Sequence, residues 1–93
     1  MKKQEIPDKD MIISIELLWF SVLADHRGKR SERMELPAGS TVNELVNRLT
    51  DELPVLAKFR PYIRIAVNQS YVDESISLNQ DDEVVLITPV SGG

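Results

Sequence analysis

The chain has 93 residues, of which 42% are hydrophobic and 28% charged, with a formal net charge of −4 at pH 7. That length suits one small domain with a modest core, and the acidic balance argues against nucleic acid as a partner. Cysteine is absent, which excludes disulfides and thiolate catalysis. The single histidine, His26, cannot assemble a metal site alone, so no metal is expected.

The first ten residues, "MKKQEIPDKD", are charged and carry a proline. They read as a flexible extension over 1–10, ahead of a domain over 11–90. They contain no apolar stretch of the kind a signal peptide needs. No apolar run approaches the roughly 20 residues of a membrane span, so the expected location is the cytoplasm. "MIISIELLWFSVLAD" (Met11 to Asp25) is rich in β-branched and aromatic residues and predicts one long strand. Alternation places Ile13, Ile15, Leu17 and Trp19 on the core face, and Ser14, Glu16, Leu18 and Phe20 on the other. "DHRGKRSE" then predicts a polar turn, and "RMELP" closes a second strand to make a hairpin.

"AGSTVNELVNRLTDELP" predicts the main helix. Thr41 and Glu44 have the spacing of a capping box. Val42, Leu45, Val46, Leu49 and Leu53 recur along one stripe, and Pro54 ends it. "LAKFRPY" is a connector. "YIRIAVN" is a strand with Ile63, Ile65 and Val67 inward and Arg64, Ala66 and Asn68 outward. "NQSYVDES" holds a turn and a short extended piece. "LNQDDE" is an acidic turn, and "VVLITPV" is the last strand.

The order is strand, strand, helix, strand, short strand, strand. One amphipathic helix must cover one face of one sheet. The class is therefore α+β, and the order fits a β-grasp (ubiquitin-like) arrangement. Its mixed sheet of four to five strands is covered by one main helix. In that layout the first and last strands lie parallel at the centre, with the helix supplying the crossover.

"AVNQ" at Ala66 to Gln69 and "DDEVVLITPVSGG" at Asp81 to Gly93 resemble the β-grasp sulfur carriers. The likeness is to the branch that forms the small subunit of molybdopterin synthase. It covers nearly the whole chain from Met11 onward. Thiazole-synthesis carriers usually lack the Pro89-Val90 pair, which favours the molybdopterin branch. Family members often place an Arg-Glu pair after the first strand, where this chain has Ala24-Asp25.

The resemblance implies that the reactive group is the terminal carboxylate of Gly93. An adenylating partner, similar to ubiquitin-activating enzymes, would use ATP to convert it to an acyl-adenylate. Sulfur would then replace the adenylate and leave a thiocarboxylate. No cofactor would be bound by this chain itself. The second expected partner is the large synthase subunit, in a heterotetramer, which would supply the catalytic side chains. Such chemistry needs a thin tail over 91–93. Gly92 and Gly93 lack a Cβ, while Pro89 ends strand pairing and Val90 and Ser91 lead away from the body. The resemblance also implies a shared docking face on the outer sheet surface. Alternation gathers Leu18, Phe20, Ala66, Val85 and Ile87 there, with Tyr71 nearby and Arg64 available to a partner carboxylate. A homodimer would also cover such a patch.

The remaining polar residues have blander readings. His26, Arg27 and Lys29 read as a solvated turn, and Asn68-Gln69 as turn chemistry. Asp81, Asp82 and Glu83 read as solvated, or as an acidic patch near the base of the tail. Two other functions stay open: a carrier for thiazole or sulfur amino-acid synthesis, and a ubiquitin-like modifier that joins Gly93 to protein lysines.

Overall fold

In the computed structural model, which describes residues 11–88, the first alternating run forms strand β1 (Ile12–Trp19). The extension expected at 1–10 and the ending Pro89, Val90, Ser91, Gly92 and Gly93 lie outside the described residues. Ile15, Leu17 and Trp19 are buried as the alternation requires.

The strand does not continue to Asp25. Phe20 is still extended, but Ser21 takes φ 51°, and the chain turns into helix α1 (Ser21–Arg27). Only Leu23 of that helix is fully buried, and it reaches the core. The run "FSVLAD" is apolar enough for either period, and a short apolar run cannot distinguish them. The expected polar turn is therefore the end of α1. Gly28, at φ 85°, closes the helix by donating its N–H to the Ala24 carbonyl at 2.9 Å. A left-handed C-cap of this kind favours glycine because it has no Cβ.

Strand β2 (Ser31–Pro37) pairs antiparallel with β1, with Ile15 opposite Met34. Helix α2 (Val42–Glu52) begins at the expected capping box. Thr41 Oγ1 accepts from the Glu44 N–H at 3.1 Å, and the Glu44 carboxylate accepts from the Thr41 N–H at 2.9 Å. Its buried stripe is Val42, Leu45, Val46 and Leu49, with Leu53 partly buried at the C-cap. The connector is helical, as α3 (Leu56–Phe59) followed by a 3-10 turn (Arg60–Tyr62).

Strands β3 (Arg64–Val67), β4 (Ser70–Tyr71) and β5 (Glu83–Ile87) complete the sheet. Its order is β2-β1-β5-β3-β4, with β1 and β5 parallel and the other pairs antiparallel. The core lies on the α2 side, where Leu17, Leu45, Leu49, Val84 and Leu86 are fully buried. Burying each such side chain contributes about 1.5–3 kcal/mol.

Candidate functional site on the outer sheet face

The register lines up the expected outer residues in one row across four strands. Leu18 is opposite Val85, Val85 opposite Ala66, and Ala66 opposite Tyr71. None of these belongs to the core cluster. The alternation read from the sequence therefore holds on β1, β3 and β5. The next row toward the end of β5 places Ile87 opposite Arg64. Phe20, one residue beyond β1, lies past the last β1–β5 pair, Trp19 with Leu86.

The patch is less bare than alternation alone suggests. Val85 and Ala66 are each 8% exposed, shielded by their neighbours in the row, while Phe20 is 50% and Tyr71 64% exposed. The face thus offers two protruding aromatics on a flat aliphatic floor. Arg64 stacks on Tyr71, with its guanidinium carbon 5.0 Å from the ring centroid. This is within cation–π range and holds the arginine along the sheet.

Because β1 and β5 run parallel, β5 ends at the same edge as Phe20 and α1. Thr88, the last described residue, is buried just beyond the end of β5. The acidic turn is at the opposite end of β5. It therefore does not flank the base of the tail, because the strand's length, on the order of 13 Å, separates them.

Nor are its three acids equally solvated. Asp82 is 8% exposed and accepts from the Asn68 side-chain amide at 2.9 Å and from the Asn79 N–H at 2.8 Å. Asn68 in turn accepts from the Glu83 N–H at 2.9 Å. Asn68 and Gln69 both have positive φ, 52° and 73°. They form the two-residue loop between β3 and β4, with Val67 paired to Ser70, so the expected turn chemistry holds. Asp81 is bound by Arg33 at 2.8 Å, and Arg33 also reaches Glu16 at 3.4 Å.

Behind the face, Arg27 is not the solvated turn residue expected. It makes a bidentate bond to Glu32, at 2.7 and 3.1 Å, and reaches Glu52 at 3.0 Å. Its guanidinium lies 5.3 Å from the Trp19 ring centroid. The buried Trp19 donates Nε1–H to the same Glu32 carboxylate at 2.8 Å. The Arg27 hydrogen bond, helped by that of Trp19, lowers the Glu32 pKa below its ordinary value against the cost of burial. This cluster fixes α1 against β1 and β2, and so fixes the edge at which Phe20 stands. Neither Glu32 nor Arg33 is distinguished by local pattern. Only the β1–β2 register, which sets Leu17 opposite Glu32 and Glu16 opposite Arg33, reveals them.

Comparison with known proteins adds three likenesses. The molybdopterin synthase sulfur carrier subunit of Homo sapiens is 34% identical over 85 residues, spanning 88% of this chain and 97% of that protein. The crystal structure of SAMP1 from Haloferax volcanii superposes with a TM-score of 0.75 at 26% identity, covering 86% of this chain and 99% of that one. A chain of the protein–protein complex of subunits 1 and 2 of the molybdopterin-converting factor from Helicobacter pylori gives 0.60 at 23% identity. It covers 87% of this chain and 100% of that one, a likeness of fold. The family profile described as ThiS family matches residues 18–93, from within β1 to the final glycine. With its β-grasp sheet and that match over most of its length, the chain belongs to the ThiS family.

Proposed function

We propose that this chain is the sulfur carrier subunit of a molybdopterin synthase, and that Gly93 carries the sulfur. The observation that carries the reading is the parallel β1–β5 pair, which ends β5 beside the exposed Phe20. A protein that holds the outer face would receive the residues after Thr88 at its own surface. The human relative, a molybdopterin synthase sulfur carrier subunit matched over 97% of its length, and the family match running to residue 93 support it.

In this reading an adenylating enzyme attaches AMP from ATP to the Gly93 carboxylate and releases pyrophosphate. A reduced sulfur nucleophile attacks the carbonyl carbon, AMP leaves, and a thiocarboxylate remains. The large subunit, in a heterotetramer, then takes the sulfur for the pterin precursor, and water restores the carboxylate. The chain itself would hold no cofactor. Its contribution is to present Gly93 at a fixed reach, with Gly92 thin enough to thread a channel. Leu18, Phe20, Arg64, Tyr71, Val85 and Ile87 would meet the partner, with Pro89, Val90 and Ser91 lining the approach. The cytoplasm, which supplies ATP, is the compartment this chemistry suits.

The test is chain length. Adding one uncleaved alanine after Gly93 should leave the thermal midpoint unchanged and abolish thiocarboxylate formation, read by intact-protein mass spectrometry. An extended variant that still supports molybdopterin synthesis overturns the reading. The likeness to SAMP1, a small archaeal modifier protein, favours a second reading, conjugation of Gly93 to lysines. Affinity purification separates the two: one yields a pterin-binding subunit, the other a ladder of lysine conjugates.

A further inference from the structure

Arg27, Arg33, Arg48 and Arg60 are each ion-paired within the domain. Arg30 and Arg64 are exposed and have no carboxylate at ion-pair distance among the described residues. Unpaired guanidiniums are unexpected in a chain with 15 acidic and 11 basic residues.

Both border one edge of the candidate face. The Arg30 carbonyl accepts from the N–H of Trp19, the last residue of β1, at 2.8 Å. Arg64 is opposite Ile87, the last residue of β5. The two arginines thus bracket the edge where β1 and β5 both end. Three strand spacings separate them, on the order of 14 Å, with Phe20 and Ile87 between. Arg30 also lines a cleft of about 490 Å³ with Leu18, Phe20 and Ala24. Asp25 lines the same cleft without pairing to it. At the other end of the face lie Glu16, Asp81 and Glu83, with Arg33 the cation among them. The face therefore holds its two arginines, unpaired among the described residues, at the edge where β1 and β5 end, and Glu16, Asp81 and Glu83 at its far end.

We propose that Arg30 and Arg64 form a two-point cationic grip on carboxylates of the large synthase subunit, with Phe20 as the apolar anchor between them. The inference rests on the sulfur-carrier reading and deepens it. It assigns the partner an acidic rim where it receives the tail, and it orients the carrier, because a reversed pose would set the acidic end of the face against that rim. Complementary charge of this kind sets association rate and pose more than affinity.

The test titrates full-length carrier into the large subunit from the same genome at two salt concentrations. Arg30→Glu and Arg64→Glu should each weaken binding about three- to fivefold at low salt, and the double variant about tenfold or more, chiefly by slower association. The loss should shrink at high salt. Arg30→Lys with Arg64→Lys should retain most of the binding. Lys58→Glu, an equal charge change on α3, should bind like the wild type. A double reversal within twofold of wild type overturns the grip and leaves the sulfur-carrier reading standing. A wild type that does not bind the large subunit overturns that reading, and the grip with it.

Discussion

Asn68 and Gln69 adopt the same left-handed backbone for different reasons. Both lie at the centre of a two-residue β-hairpin, where both φ values must be positive. Asn68 is held there by its side chain, which bonds Asp82 and the Glu83 N–H. Gln69 has no such bond among the described residues and bears the left-handed strain, roughly 1–2 kcal/mol. Gln69→Gly removes that strain against an entropic cost of about 0.5–1 kcal/mol. A net gain of up to about 1.5 kcal/mol follows, which raises the thermal midpoint by a few degrees in a domain of this size, as calorimetry would show. Asn68→Gly should do the opposite. It relieves the same backbone but strips a partner from the buried Asp82, a loss of about 1–3 kcal/mol. A stabilised Asn68→Gly variant would mean that the Asn68–Asp82 bond contributes little.

Helix α1 is held to β1 and β2 through one carboxylate. Glu32 accepts from both Arg27 and Trp19, so losing it leaves a buried indole N–H and a guanidinium with less charge to face. Glu32→Ala should cost about 2–3 kcal/mol, readable as a lower urea midpoint. The pH dependence follows from the lowered Glu32 pKa, for which the Arg27 hydrogen bond is the main cause. The folded state favours the ionised form. The stabilisation is therefore fully present above the ordinary value of 4.5 and is lost as the pH falls through the lower folded value. Unfolding midpoints measured from neutral pH down to pH of about 3 should fall more steeply for wild type than for Glu32→Gln, which cannot titrate. Parallel curves would show that the cluster does not couple to folding.

For the whole molecule, the sheet separates two jobs. Its inner face carries the core, and its outer face carries protruding aromatics over a floor that neighbouring strands already shield. Phe20 is the cleaner probe of that division, because Ile87 is partly covered and opposes Arg64. Phe20→Asp should shift free-protein stability by no more than about 0.5 kcal/mol, as at other exposed sites. It should weaken binding to the large subunit at least about tenfold, because an unpaired carboxylate would be buried against an apolar surface. Parallel thermal melts and binding titrations separate the two effects. A large stability loss would instead make Phe20 part of the packing that seats α1.

Local chemistry was enough to specify much of this protein. Alternation at Ile15, Leu17 and Trp19, the helical stripe from Val42 to Leu49, and the Thr41–Glu44 box each depend on near neighbours in the chain. They could be read without a fold, and together with "AVNQ" and "DDEVVLITPVSGG" they point to the β-grasp class and the sulfur-carrier family. Tertiary structure decided whatever depends on distant partners. "FSVLAD" became α1 because Leu23 could reach the core there. Asp82 became internal because the β3–β4 loop brought Asn68 to it. Arg27 was captured by Glu32 and Glu52, while Arg30 and Arg64 found no acid among the described residues. Charge pairing is set by strand order and register, which place residues far apart in sequence within a few ångströms of each other. No local pattern records which arginine will find its carboxylate inside the molecule and which will be left to face outward.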